Sequence, residues 1–187
     1  MLRYEDCTLR PIAESDLDIM LAWRNLPAIR HNMFNDHTIT PEEHRAWFER
    51  AQNSRLSRHL LFLHRDRPLG AVNIRGIDRV NGRCIWGFYI GDPDAPRGSG
   101  TAMACLALDH IFGDLGMRKI CSEAFAFNDA SVNYHRKLGF REEGRLRAHQ
   151  IKQGKYEDII IFGLFRPEWE ETRPRLLETL REVSRNG

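Results

Sequence analysis

The chain has 187 residues, 42% hydrophobic and 29% charged, with a formal net charge of +2. This suits one globular domain spanning residues 1–187 with a full core, and the near-balanced charge excludes nucleic-acid or membrane partners recruited by bulk charge. No basic N-terminal end precedes an apolar core, and no apolar run is long enough to cross a bilayer, so a cytoplasmic protein without a secretory signal is expected.

In chain order, Cys7 to Ile12 reads as a first strand ended by a proline. Ser15 or Asp16 caps a helix with Leu17, Met20, Leu21 and Trp23 on its apolar side, and Pro27 interrupts it. A polar and aromatic loop runs from Arg30 to His37. Thr40-Pro41-Glu42-Glu43 is a capping box with proline at the first helical position, and the helix behind it carries His44, Trp47 and Phe48. Three strands follow: His59 to His64, Leu69 to Ile74, and Arg83 to Ile90 after an Asn81-Gly82 turn. Met103 to Phe112 reads as a helix and Arg118 to Phe127 as a strand. Asp129 to Leu138 reads as a short helix ended by Gly139. Arg145 to Gln150 and Tyr156 to Phe165 pair around Gln153-Gly154-Lys155. The tail, from about residue 168 to 187, is helical, with an amphipathic stretch from Pro174 to Ser184. Cys7, Cys84, Cys105 and Cys121 are scattered, which suits reduced core thiols. The eight histidines show no paired metal-ligand spacing, so no metal is expected.

One stretch points to a ligand. Arg97-Gly98-Ser99-Gly100-Thr101-Ala102 sits between a strand and a helix. The first turn of a helix has unpartnered N–H groups and about half a positive charge, so this junction is an anion cradle. Two glycines let a phosphate approach the backbone. There is no dinucleotide G-x-G-x-x-G and no P-loop ending.

The Arg-x-x-Gly-x-Ala pattern resembles the pyrophosphate-binding signature of the GNAT acetyltransferases. A second stretch, Asn128-Asp129-Ala130-Ser131 through Lys137-Leu138-Gly139-Phe140, resembles that family's second signature, and the element order resembles GNAT along nearly the whole chain. The resemblance implies an α/β (α+β) fold, a mixed, mostly antiparallel seven-stranded sheet flanked by helices and splayed at strands 4 and 5. Acetyl-CoA is the implied co-substrate. It would lie in the splay like an added strand, bonded by backbone groups of Phe88, Tyr89 and Ile90, with the amides of Arg97 to Ala102 on the pyrophosphate. Gly87 or Gly91 could host a bulge that starts the splay. Asn128 and His135 are two helical turns apart and share a face, which in the family looks toward the pantetheine arm and thioester, with Ser131 beside them. Many family members carry a tyrosine where this chain has His135. Histidine can also protonate a leaving thiolate, and Glu123, on the strand lining the gap, is the candidate base; a structural ion pair is the alternative for Glu123.

Further stretches, among them Trp23-Arg24-Asn25, Met33 to His37, Glu43-His44 and Lys155-Tyr156-Glu157-Asp158, resemble one GNAT branch, the UDP-4-amino-4,6-dideoxy-N-acetyl-β-L-altrosamine N-acetyltransferases of pseudaminic acid synthesis, which serves flagellin glycosylation. That resemblance implies a nucleotide-sugar acceptor touched by Arg24, His44 and Tyr89, with Arg75 a weaker phosphate candidate. An arginine suits a diphosphate and an aromatic suits a uracil or sugar face. Two other readings stand beside it: a ribosomal-type protein N-terminal acetyltransferase and a catalytically silent acyl-CoA-binding module. The sequence does not fix the oligomeric state; a homodimer is compatible with it.

Overall fold

The computed structural model describes residues 1–185. Seven strands form one sheet in the order β1-β2-β3-β4-β5-β7-β6. They are β1 (Cys7–Pro11), β2 (Arg58–His64), β3 (Arg67–Asp78), β4 (Arg83–Ile90), β5 (Lys119–Phe125), β6 (Arg141–Lys152) and β7 (Lys155–Phe165). Neighbours are antiparallel except β4 and β5, which run parallel. The helices are α1 (Leu17–Asn25), α2 (Pro27–Arg30), α3 (Pro41–Gln52), α4 (Ser99–Asp109), α5 (Asp129–Lys137) and α6 (Arg166–Arg185).

The expected architecture is present. The capping box before α3 forms as read: Thr40 Oγ1 accepts from the Glu43 amide at 3.2 Å, and Glu43 Oε2 accepts from the Thr40 amide at 2.8 Å. α6 is longer than the amphipathic stretch suggested, because it starts directly after β7 and carries Pro174 inside it. β6 also extends beyond the expected limits, with two register shifts along its pairing to β7. The helical reading of residues 186 and 187 lies outside the described residues.

Two cores hold the layers together. On one face, Met103, Cys105 and Leu108 of α4, Val132 of α5 and Trp169, Leu176 and Leu180 of α6 pack on Phe62, Val72, Ile74, Trp86, Ile120 and Phe162. On the other, Met20 and Trp23 of α1 pack on Leu61, Leu63 and Ala71, with Trp47 and Tyr89 against them. Burial pushes the thiols of Cys84 and Cys105 up to about 12, so both stay protonated core groups.

β4 pairs with β5 only at Arg83↔Lys119, Cys84↔Ile120 and Ile85↔Cys121. Beyond that the strands part, so Trp86 to Ile90 is bonded to β3 alone. There is no bulge at Gly87, because the β3–β4 register runs unbroken from Gly70↔Ile90 to Arg75↔Ile85. At the end of β4 the Gly91 and Asp92 amides both donate to the Leu69 carbonyl, at 2.9 and 3.1 Å, the hydrogen-bond pattern of a bulge, but this lies beyond the point where the strands part. Gly91 also has a packing reason. A Cβ there would lie 2.1 Å from the Trp23 ring.

His135 fills the space behind the fork. It is 1% exposed. Its ring stacks on Phe162 at 4.7 Å and meets Phe140 edge-on at 5.1 Å. Nδ1 donates to the Ser131 carbonyl at 2.8 Å, and Nε2 accepts from the Ser122 hydroxyl at 2.8 Å. Burial pushes its pKa down to about 4.

Two outcomes follow from this packing. Gly91→Ala should lose about 1–3 kcal/mol in denaturant unfolding, because Trp23 must move. His135 is neutral in the fold but binds a proton near pH 6.5 when unfolded, so the unfolded chain takes up more protons between about pH 6.5 and 4. Stability therefore falls as pH drops through that window, by about 2 kcal/mol from pH 7 to pH 5. Urea titrations at both pH values should show a shallower loss for His135→Gln.

Candidate active site

The anion cradle is built at the start of α4. Gly98 is its N-cap, with φ +95°, a left-handed conformation that favours glycine. Leu2, Leu180 and Val183 lie within 3.5 Å of where a Gly98 side chain would begin, so α6 and the N-terminal segment back the turn. The cradle is narrower than the hexamer suggested. The Ser99 amide and hydroxyl both donate to the Pro96 carbonyl, at 3.1 and 2.7 Å, and the Ala102 amide donates to the Gly98 carbonyl at 2.9 Å. Among the described residues, the amides of Arg97, Gly98, Gly100 and Thr101 have no such partner. Arg97 itself is exposed. Those free amides at a helix N-terminus fit a pyrophosphate.

Two neighbours of the cradle were not legible in the sequence. Lys137 Nζ donates to Thr101 Oγ1 at 2.9 Å, which brings a cation to the first turn of α4. Tyr134 donates its hydroxyl to the Gly100 carbonyl at 2.5 Å and packs on Phe88 at 4.8 Å. Each contact joins residues more than thirty positions apart, and no local pattern encodes such a distance.

The second motif behaves differently from the expectation. Asn128 is the N-cap of α5, its Oδ1 accepting from the Ser131 amide at 3.0 Å. Asn128 and His135 do share a side of α5, but His135 points into the core rather than into the fork. As a neutral ring with Nε2 serving as acceptor, it carries no proton there to give a thiolate at neutral pH. Ser131 lies near it, Oγ to Nδ1 at 3.4 Å.

The opposite face of the sheet holds the other expected residues. Strand alternation places Ile85, Gly87 and Tyr89 of β4 and Cys121, Glu123 and Phe125 of β5 on this face. Glu123 is exposed and has no ion pair among the described residues. The structural-pair alternative for Glu123 is therefore absent here. Arg24 extends from α1, where Nη2 donates to the Asn35 carbonyl at 2.8 Å. Nη1 is buried without a partner, and burial pushes the guanidinium pKa down. Tyr89 lies close to it, its own pKa pushed up to about 12 by burial. His44 is buried and stacked on Trp47 at 5.1 Å, and burial followed by the Arg24 charge lowers its pKa. Arg75 is exposed on β3 opposite Ile85. Lys152, at the end of β6, was also unforeseen. Its buried ammonium donates to the Arg30 and Met33 carbonyls at 3.2 and 2.6 Å, approaches Asp36 at 3.4 Å and lies 5.5 Å from the Phe125 ring centre. It ties the loop after α2 to the β6–β7 hairpin. Among the described residues, no cluster of His, Cys, Asp and Glu is arranged to hold a metal, and no helix is long and apolar enough to cross a membrane.

Comparison with known proteins agrees with this architecture. The model of the acetyltransferase (GNAT) domain matches residues 6–141. An uncharacterized, SPbeta prophage-derived N-acetyltransferase of Bacillus subtilis is 31% identical over 169 residues, 89% of this chain and 93% of that protein. The spermidine N(1)-acetyltransferase of Escherichia coli K12 is 23% identical over 161 residues, 86% of this chain and 87% of its own. Among solved structures, a spermidine N-acetyltransferase from Vibrio cholerae in complex with CoA and spermine superposes with a TM-score of 0.83 at 20% identity, covering 89% of this chain and 99% of that one. With its forked sheet, its phosphate cradle and these relatives, the chain belongs to the GNAT family of acetyl-CoA-dependent N-acetyltransferases.

Proposed function

We propose that the acceptor is an amine carried on an anionic molecule, specifically the 4-amino group of a UDP-linked amino-dideoxy sugar of the kind acetylated in pseudaminic acid synthesis for flagellin glycosylation. The observation that carries this reading is Arg24. Its guanidinium is partly buried, makes one hydrogen bond to a carbonyl, and leaves Nη1 buried without a partner. A buried cation without a counter-charge is costly, and a bidentate diphosphate or carboxylate would offset that cost. Asp36 is engaged with Lys152 and Glu43 with His37, while Asp18 acts on His44. Tyr89 and His44 border the same place and can hold a base or sugar ring.

The spermidine-acetylating relatives suggest a different acceptor. A polyamine would bring positive charge to Arg24, whose hydrogen-bond partner is a neutral carbonyl, so Arg24 favours the anionic acceptor.

Acetyl-CoA supplies an acetyl thioester, whose acetyl group passes to the amine nitrogen as the C–S bond breaks. The unpaired edge of Phe88, Tyr89 and Ile90 lines the fork, and the amides of Gly100 and Thr101 face the pyrophosphate. Glu123 takes the amine proton directly or through a water. His135 holds α5 against β5 through Ser122 and leaves reprotonation of the thiolate to solvent, which a thiol pKa near 8.5 permits. Such a reaction belongs in the cytoplasm, where acetyl-CoA is made available.

An amine panel tests the acceptor. Acetyl-CoA consumption should be fastest with the UDP-linked 4-amino sugar and slow with spermidine and with an N-terminal peptide; the reverse order overturns the reading. Arg24→Gln should raise the KM of the sugar about tenfold to a hundredfold, leave the acetyl-CoA KM within about twofold, and not lower the melting temperature of the ligand-free protein.

The cradle has its own test. A Cβ at Gly100 meets Tyr134 at 3.7 Å, an ordinary contact, so Gly100→Ala should fold and bind normally. Gly100→Asp should fold as well but raise the acetyl-CoA KM at least about tenfold, through like-charge repulsion. Normal coenzyme A binding by Gly100→Asp in calorimetry would place the pyrophosphate elsewhere.

A further inference from the structure

Three positions lie in register across β2, β3 and β4 on the Arg24 side of the sheet. His59 is paired with Asn73, and Asn73 with Gly87. His59 Nδ1 lies 2.7 Å from Asn73 Oδ1. A carbonyl oxygen only accepts, so the imidazole donates through Nδ1. Trp47 meets the His59 ring edge-on at 5.0 Å and fixes its plane. With Oδ1 occupied, Asn73 presents its Nδ2 hydrogens, which no described group accepts.

The third position is open. A Cβ at Gly87 would find nothing within 4 Å. β4 and β5 last pair at Ile85↔Cys121. Two residues further along parallel strands, Gly87 and Glu123 stand at the same level on the same face, on either side of the fork. The opening over Gly87 therefore has an unpaired carboxylate on one side and a pre-aimed amide donor on the other.

We propose that this opening receives the amine-bearing end of the acceptor, and that Gly87 sets how bulky that end can be. Asn73 donates from Nδ2 to a hydroxyl or carbonyl oxygen next to the amine and so selects for acceptors that carry one. His59 is a positioning residue that keeps Asn73 turned the right way. The Gly87 part rests only on N-acetyl transfer. The Asn73 part rests on the sugar reading above, because a polyamine offers no such oxygen.

The test uses the full chain with acetyl-CoA and two acceptors, the UDP-linked 4-amino sugar and spermidine. Gly87→Val should keep its stability, because the site is open and valine suits a strand. It should raise the acceptor KM about tenfold to a hundredfold while the acetyl-CoA KM stays within about twofold. Asn73→Ala should cost about tenfold in kcat/KM for the sugar and nothing for spermidine. His59→Ala should copy Asn73→Ala, and His59→Gln, which can still donate to Oδ1, should recover part of the loss. A folded Gly87→Val with an unchanged KM for whichever acceptor the unaltered enzyme uses overturns the Gly87 assignment. A sugar-active enzyme indifferent to Asn73→Ala overturns the Asn73 assignment alone. Preference for spermidine refutes the sugar reading and with it the Asn73 part, and Gly87 is then judged on the spermidine KM.

Discussion

The fork between β4 and β5 is the constraint on which the rest of the molecule depends. Three residue pairs join these strands, and then the sheet opens. An opened sheet exposes unpaired backbone polar groups, which are costly if buried and hazardous if left as a free edge. The strands are therefore secured from outside: β4 by the long β3 and β5 by β7 along its whole length. Behind the fork, rings from separate elements fill the wedge. Trp86 of β4 stacks on Phe140 at 5.5 Å, and His135 of α5 stacks on Phe162 of β7. His135 also bonds Ser122 of β5. Residues around this wedge touch β4, β5 and β7 together, so the opening is a packed feature of the fold rather than a loose seam.

Much of this was legible in the sequence, for reasons that are local. Strand alternation, the Thr40 capping box and the glycine-bearing turn before α4 act over a few residues, and each formed where expected. What was not legible depends on distance in sequence. The Lys137–Thr101 contact joins residues 36 positions apart, and Lys152 binds carbonyls about 120 positions away. No periodicity reports such meetings. The placement of Asn128 and His135 on one helical face was sound geometry, yet helical spacing does not say whether that face looks at solvent, ligand or core. Burial among Phe88, Phe140 and Phe162 turned an expected proton donor into a neutral wedge. The cradle shows the same limit at finer grain. Its position was clear from the glycines, but which amides stay free depends on the bend at Pro96, whose carbonyl captures Ser99.

The two faces of the sheet divide the work. On the α4–α5 face, the free groups are backbone amides at a helix terminus, so whatever they bind depends little on side-chain identity. On the α1–α3 face, Arg24, His44, Tyr89, His59 and Asn73 are side chains held by stacking or by single hydrogen bonds, and such positions can change without disturbing the fork. That separation explains how one fold at about 20% identity can accompany different acceptors. A TM-score of 0.83 to a protein bound to spermine reports the shared fork and helices. Nη1 of Arg24 is buried without a hydrogen-bond partner, and such a group carries a desolvation cost in a marginally stable fold. The fork is held by packing across several elements, whereas the side chains of the α1–α3 face stand in contacts of their own, so the charge on that face can differ between relatives that share the fold.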